Sequence, residues 1–161
     1  MKRSGQLWAP WRHRYLVGDK PRGCIFCAAK RRQDDRKTYV VFRGRHVFCM
    51  LNRFPYNNGH VMLAPYRHVR ALHRLTAQER EEWLRLASRM EQALTTLLHP
   101  QGFNFGINVG RAAGAGIPGH LHMHVVPRWW ADTNFMSTTG TVRVISQSLD
   151  QLYRSLKALG P

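Results

Sequence analysis

The chain has 161 residues, of which 43% are hydrophobic, and this is enough apolar material for one domain with a sizeable core, so a mostly disordered protein is excluded. There is no run of about 18 apolar residues and no apolar signal core at the N-terminus, so we expect a cytoplasmic protein rather than a membrane-spanning or secreted one. The formal net charge of +16 favours phosphate-rich partners, either nucleotides or nucleic acid.

The first half of the chain predicts three strands. Residues 28–37 form a charged connector or short helix. Apolar runs separated by glycine, proline and asparagine then indicate strands over Tyr39–Phe42, Val47–Leu51 and His60–Leu63.

The second half predicts two helices and two further strands. Ala77–Leu98 has apolar residues at three- and four-residue steps, which indicates a helix with one buried face. Thr76 and Glu79 have the spacing of a capping box at its start. Two strands and a closing amphipathic helix follow, over Phe103–Val109, Leu121–Val126 and Ser146–Leu159.

Three histidines alternate directly after a glycine-rich segment at 110–119. They are His120, His122 and His124, and alternation by two places them on one face of a strand. Mutual repulsion disfavours protonation of all three, so at least some are neutral near pH 7. Such a row can bind a metal such as zinc, or a neutral imidazole can attack phosphorus and carry the phosphoryl group covalently. The glycine-rich loop and the net charge favour phosphate as the ligand.

Three segments of the chain match one family of proteins. They are Gly119–Arg128, which contains the His-x-His-x-His pattern, Leu51–Val61 and Asn108–Gly114. On these segments the chain resembles the histidine triad superfamily of nucleotide hydrolases and transferases, in which the second segment is a nucleoside-binding turn and the third a phosphate loop. The flanks at 7–11 and 128–136 look like a bacterial branch related to diadenosine tetraphosphate phosphorylases.

The resemblance implies an α+β fold, with a mostly antiparallel five-stranded sheet, one main helix and a C-terminal helix. Residues 1–161 then form a single domain with a basic N-terminal extension (1–23) and a C-terminal extension (129–161). Family members usually form homodimers, so we expect a homodimer.

The resemblance also assigns catalytic and binding roles. His122 would be the nucleophile that forms a nucleotidyl-histidine, its other ring nitrogen held by an acceptor such as a backbone carbonyl. His124 would contact the transferring phosphate or its leaving oxygen. His120 would be the first member of the catalytic triad, and His60 would support the triad. The nucleotide-binding residues would be Asn52 on the ribose, Phe48 and Leu51 near the base, and Asn108, Gly114, Ala115 and Gly116 around the phosphate. Arg128 either reaches a terminal phosphate or is solvated. Water or inorganic phosphate would cleave the intermediate, and the sequence does not choose between them.

A Cys-x-x-Cys pair, Cys24 and Cys27, predicts metal binding or redox chemistry in a reducing compartment. A structural zinc ion needs four ligands. In zinc-bearing triad proteins and the related galactose-1-phosphate uridylyltransferases, histidines at places that match His68 and His120 complete the set. The resemblance therefore implies a structural zinc ion, and the alternative is two free thiols. Cys49 lies in an apolar strand and is expected in the core.

Two functions remain open from the sequence. The first is a nucleotidyl hydrolase or transferase that cleaves dinucleoside polyphosphates, such as diadenosine tetraphosphate, or related nucleoside phosphates. The alternative is a non-catalytic nucleotide- or nucleic-acid-binding module that uses the histidine row as a metal or anion site. The net charge favours this alternative, but no recognised nucleic-acid-binding motif accompanies it.

Overall fold

The computed structural model describes residues 23–32, 34–130, 132 and 145–160. The predicted N-terminal extension therefore lies outside the described residues except for Gly23, and so does most of the C-terminal flank between 131 and 144. No helix within these described ranges is long and apolar enough to cross a bilayer.

A five-stranded antiparallel sheet forms the centre of the fold, as expected. Its strands are β1 (Val40–Arg43), β2 (Val47–Leu51), β3 (Val61–Pro65), β4 (Gly102–Ile107) and β5 (Met123–Arg128). The spatial order is β1-β2-β3-β5-β4, and every neighbouring pair is antiparallel. The strand β5 therefore lies inside the sheet, between β3 and β4.

Within the described residues, four α-helices and one short 3₁₀ helix accompany the sheet. They are α1 (Ile25–Arg31), α2 (Asp35–Thr38), the 3₁₀ helix Leu72–Arg74, α3 (Ala77–Leu98) and α4 (Leu149–Leu159). The helix α3 has the predicted bounds, and the capping box at Thr76 and Glu79 is present. The helix α4 begins three residues later than predicted, because Ser148 is its N-cap and accepts a hydrogen bond from the Gln151 amide.

The sheet has two apolar faces with different coverings. Along β2, Cys49 and Leu51 belong to the core beneath α3, whereas Phe48 and Met50 belong to a smaller cluster with Phe26 of α1. This alternation follows from the pleat of a strand. Cys49 is fully buried, as predicted. The same alternation in β5 directs Met123 and Val125 towards α3 and His124 towards the opposite face.

Two strand ends beside the three alternating histidines differ from the sequence prediction. The strand β5 begins at Met123 rather than Leu121, because the Leu121 amide bonds to the Val69 carbonyl at 2.6 Å, outside the ladder. The strand β4 ends at Ile107, because Ile107 pairs with Met123 at the last position of the β4–β5 ladder. His120 and His122 therefore precede the strand, and only His124 belongs to it.

A buried carboxylate on α3 fastens the β1–β2 hairpin to the helix. Glu82 is 8% exposed and accepts the amides of Arg45 at 2.8 Å and His46 at 2.6 Å. Both bonds are charge-assisted, and such bonds are roughly twice as strong as neutral ones. Glu82 therefore fixes the position of β1 and β2 over α3.

The turn before β3 requires glycine at one position. Gly59 has φ +76°, and a Cβ there would lie 2.7 Å from the Leu98 Cδ1 and 2.8 Å from the Pro127 Cγ. An L side chain is disfavoured by this backbone conformation and would collide with both neighbours. His60 directly follows Gly59, so the close packing of this turn against Leu98 and Pro127 also positions His60.

Candidate active site

Three histidines from two segments meet on the sheet face opposite α3. The His122 and His124 rings lie 4.9 Å apart, and the His60 Nε2 lies 2.8 Å from the His124 Nδ1. His60 and His122 are buried, and His124 is half-buried. The ring centroids of His120 and His122 lie 5.0 and 4.8 Å from that of Phe26, so these two imidazoles lie on one side of the segment.

One backbone carbonyl fixes the tautomer of His122. Its Nδ1 lies 2.8 Å from the His120 carbonyl oxygen. A carbonyl only accepts hydrogen bonds, so Nδ1 carries the proton and donates. The neutral ring then has its lone pair on Nε2. The backbone carbonyl partner expected from the sequence is present, and Nε2 is the ring nitrogen that keeps its lone pair.

A backbone amide fixes the tautomers of His60 and His124 in the same way. The Tyr56 amide donates to the His60 Nδ1 at 3.1 Å, and the Asn52 Nδ2 lies 3.3 Å from the same atom. The neutral His60 ring therefore carries its proton on Nε2 and donates it to the His124 Nδ1. The neutral His124 ring therefore carries its proton on Nε2. The site thus has a lone pair on the His122 Nε2 and an N–H donor on the His124 Nε2.

Burial keeps these rings uncharged near pH 7. It lowers the pKa of His60 to about 3, with a further contribution from His124. It lowers the pKa of His124 to about 4, with His122 adding to the effect. The pKa of His122 is also lowered by burial, although its bond to the His120 carbonyl acts in the opposite direction. Neutral imidazoles are what nucleophilic attack requires.

A second cluster lies beside the histidines and could bind a metal ion. The ligand atoms of Cys24, Cys27, His68 and His120 all lie within 4.8 Å of one another. The Cys24 Sγ is 3.2 Å from the His120 Nδ1, and the Cys27 Sγ is 3.2 Å from the His68 Nδ1. Zinc–sulfur and zinc–nitrogen bonds of about 2.3 and 2.0 Å in a tetrahedral site place such atoms roughly 3.6 Å apart, so the four residues fit that geometry.

The tautomer of His120 also suits a metal ligand. Its Nε2 donates to the Pro65 carbonyl at 2.9 Å, which leaves the lone pair on Nδ1, the atom that faces the sulfurs. Burial lowers the pKa of His120 to about 4, and the Pro65 carbonyl opposes this change. In the described part of the chain, the four residues form the one cluster of metal-ligating type, and it does not include His122 or His124.

An open cavity of about 490 Å³ lies beside the histidines, along the paired strands β4 and β5. Its lining residues are Tyr56, Asn104, Phe105, Gly106, Asn108, His124, Val126 and Arg128. The volume is within the range of small-molecule sites. His124 is therefore the histidine at which the cavity begins.

The structure contradicts the expected contacts of Phe48 and Leu51 with a base. Both are fully buried. Leu51 belongs to the core beneath α3, on the face opposite the histidines. Phe48 lies on the histidine face, but its ring packs against Phe26 and stacks on Tyr66 at 5.2 Å. Neither side chain presents a surface on which a base could lie.

The expected phosphate-binding residues have mixed outcomes. Asn108 lines the cavity. The Gly114 amide donates to the Arg111 carbonyl at 3.0 Å and the Ala115 amide to the Gly110 carbonyl at 3.3 Å, so both are used in turns of the loop. They do not serve as phosphate donors in this conformation. Gly116 is exposed beyond these turns.

Asn52 ties the turn before β3 together. Its Oδ1 accepts the Phe54 amide at 3.0 Å, and its Nδ2 contacts His60. The sequence analysis did not predict this contact, the hydrogen bond from the Tyr56 amide to His60, or the contacts of Phe26 with His120 and His122. A hydrogen bond from a backbone amide requires no particular residue type, so the sequence does not reveal it. Phe26 lies between the two cysteines of the Cys-x-x-Cys pair, and this position could have indicated that it lies near the site.

Known proteins resemble this chain along most of its length. A model of the HIT domain family matches residues 33–129. The chain is 37% identical over 159 residues to a Mycobacterium tuberculosis protein named AP-4-A phosphorylase, covering 94% of this chain and 82% of the relative. It is 31% identical over 93 residues to a Schizosaccharomyces pombe bis(5'-nucleosyl)-tetraphosphatase (asymmetrical), covering 58% of this chain and 50% of that protein.

The solved structures extend the comparison to the fold. A zinc-bound histidine triad family protein from Mycobacterium smegmatis superposes with a TM-score of 0.66 at 24% identity, covering 84% of this chain and 91% of that chain. At this identity the likeness concerns the fold alone. The family match over more than half of the chain decides membership, and it agrees with the resemblance seen in the histidine row. The chain belongs to the HIT domain family, and it is similar to a bacterial AP-4-A phosphorylase.

Proposed function

We propose that this protein is a nucleotidyl hydrolase or transferase that cleaves dinucleoside polyphosphates through a covalent nucleotidyl-histidine on His122. One observation carries the proposal: the His120 carbonyl holds the His122 Nδ1–H, so the Nε2 lone pair of a buried, neutral ring is next to His124 at the cavity. The M. tuberculosis relative supports the substrate class.

In the first step the lone pair on the His122 Nε2 attacks the α-phosphorus of a bound dinucleotide. The phosphorus–nitrogen bond forms, the bond to the bridging oxygen breaks, and its electron pair leaves with that oxygen. The Nδ1 proton stays on His122 and continues to donate to the His120 carbonyl. The His124 Nε2–H stabilises the developing negative charge as a hydrogen-bond donor. The leaving polyphosphate departs as an anion, so no proton transfer from a neutral histidine is required.

In the second step an acceptor oxygen attacks the same phosphorus. The phosphorus–nitrogen bond breaks, its electron pair returns to the His122 Nε2, and the ring is restored. For diadenosine tetraphosphate, the products of both steps are ATP and ADP when inorganic phosphate is the acceptor. When water is the acceptor they are ATP and AMP, and one proton is released to solvent. The name of the M. tuberculosis relative favours phosphate as the acceptor, and that of the shorter S. pombe match favours water.

We propose that the ion held by Cys24, Cys27, His68 and His120 is zinc. All four positions of a tetrahedral zinc would be taken by protein, so the ion would supply structural cross-linking and no bound water. It would join α1 to the segment that precedes β5. His120 would then hold its carbonyl in place for His122 while its own ring is a ligand.

The test is turnover of diadenosine tetraphosphate with and without inorganic phosphate, with nucleotide products separated by chromatography. ADP that appears only with phosphate identifies phosphorolysis, and AMP without phosphate identifies hydrolysis. His122→Ala is expected to abolish turnover and the retention of ³²P label on the protein. His73→Ala, at an exposed histidine on the 3₁₀ helix, is the matched control. If the wild type turns over no dinucleoside polyphosphate, or if His122→Ala is as active as His73→Ala, the proposal is wrong.

A further inference from the structure

The cavity is a groove that runs along two paired strands, away from the triad. Gly106 of β4 pairs with His124 of β5, and Asn104 pairs with Val126. His124, Val126 and Arg128 alternate along β5 and all line the groove. Four residues of strand at about 3.3 Å per residue give a backbone length of roughly 13 Å from His124 to Arg128.

Arg128 is held in a fixed orientation at the far end. Its Nε and Nη2 donate to the two carboxylate oxygens of Asp132, and its Nη1 donates to the Asn104 Oδ1 at 2.7 Å. The Asp132 side chain is 7% exposed and also accepts from Asn57, which is itself buried. The carboxylate is thus surrounded by donors, and its role is to orient the guanidinium.

The groove begins next to the proposed nucleophile, because His124 lines it and adjoins His122. His122 contacts Phe26 on one side and His124 on the other, and the groove begins at His124. A group displaced in line leaves on the side of the phosphorus opposite to the His122 Nε2. For a dinucleoside polyphosphate, which is the substrate class of the proposed function, that group is a chain of phosphates.

We infer that this groove is a subsite for the polyphosphate chain of the leaving fragment, in which Arg128 and Asn104 bind its far phosphates. The inference rests on the proposed function. The guanidinium has five N–H donors, and its bonds to described residues use three of them, leaving one on each terminal nitrogen for an anion. Gly106 leaves the groove open beside His124: it has no side chain, and a Cβ at this position would meet no atom within 4 Å.

The first test measures binding of inorganic tripolyphosphate by titration calorimetry. Arg128→Gln removes the guanidinium. It should weaken tripolyphosphate binding by about ten- to hundredfold, which corresponds to the loss of a charge-assisted hydrogen bond. Gly106→Val places a side chain in the groove without a change in charge, and it should also weaken binding. Because the added Cβ meets open space, the variant is expected to fold. Arg85→Gln, an exposed arginine of α3, loses the same charge elsewhere and is expected to change affinity by less than about twofold.

Three results overturn the subsite. The first is equal weakening by Arg128→Gln and Arg85→Gln, which would assign binding to net charge alone. The second is unchanged affinity in Gly106→Val, and the third is the lack of saturable binding to the wild type. With diadenosine tetraphosphate as substrate, Arg128→Gln and Gly106→Val should lower kcat/KM by a similar factor relative to Arg85→Gln. A wild type that binds tripolyphosphate in this groove but turns over no dinucleotide contradicts the proposed function and leaves the subsite intact.

Discussion

Acid is expected to destabilise the folded protein through His60, and the size of the effect can be worked out. Its pKa is about 3 in the folded state and 6.5 when unperturbed. A lowered histidine pKa means that the unfolded chain binds the proton more tightly, so stability is complete above pH 6.5 and falls as the pH decreases towards 3. Between pH 7.5 and pH 5.0, His60 alone should lower the free energy of unfolding by about 2 kcal/mol.

The substitution His60→Gln isolates this contribution. Glutamine does not titrate, and its amide can still donate to the His124 Nδ1 from a similar position. Urea unfolding of both proteins at pH 7.5 and pH 5.0, at equal and measured metal content, gives a double difference. The constant cost of the substitution cancels in it, and so do the other histidines to the extent that they titrate alike in both proteins.

The expected result is that wild type loses about 2 kcal/mol more than His60→Gln between the two pH values. In thermal unfolding this corresponds to a difference of roughly 4–8 °C in the pH-dependent decrease of Tm. Equal losses in the two proteins would mean that the folded state binds a proton at His60 as readily as the unfolded chain does. The neutral, amide-fixed His60 described above would then be incorrect.

The remaining predictions concern the metal cluster, the hydrogen bonds of Glu82 and the turn at Gly59. Cys27→Ser should reduce bound zinc, measured by plasma mass spectrometry, from about one ion per chain to a small fraction; full occupancy in the variant would exclude the proposed ligand set. Glu82→Gln should lower the free energy of unfolding by about 1.5–3 kcal/mol in urea titrations, because one of its two amide partners loses a charge-assisted acceptor; the exposed Glu91→Gln on the same helix is the control and should change it by under about 0.5 kcal/mol. Gly59→Ala should cost about 2–4 kcal/mol, combining left-handed strain with collision against Leu98 and Pro127, and a thermal scan that finds no decrease in Tm would contradict the turn geometry.

Much of the fold could be predicted because local patterns and tertiary packing agree. The apolar period of Ala77–Leu98 and its capping box define a helix that the core then uses without adjustment. The strand β2 has the predicted bounds because turns enclose it on both sides. Near the histidines the predicted start of β5 was wrong by two residues. The strand begins at Met123 rather than Leu121, because the Leu121 amide donates to the Val69 carbonyl rather than to a neighbouring strand. Alternation in sequence does not reveal where a ladder ends.

The site was predictable where side-chain types carry the information. The Cys-x-x-Cys pair and the triad each have a chemical pattern, and the structure brings Cys24, Cys27, His68 and His120 together. Face assignment was not predictable for Leu51, because a fully apolar strand gives no alternation from which to choose a side. The groove end at Arg128 and Asn104 depends on pairing between distant strands, which one sequence does not display.

The residue at position 120 is committed at three atoms: Nδ1 to the cysteines, Nε2 to Pro65 and the carbonyl oxygen to His122. Replacing only its ring would therefore also disturb the neighbour two positions later, although that neighbour is not a ligand. To transfer the proposed His122 chemistry to another scaffold, a designer would need more than the five residues from His120 to His124. The transferred piece must also include the segment from Cys24 to the end of α1 and the loop that follows β3.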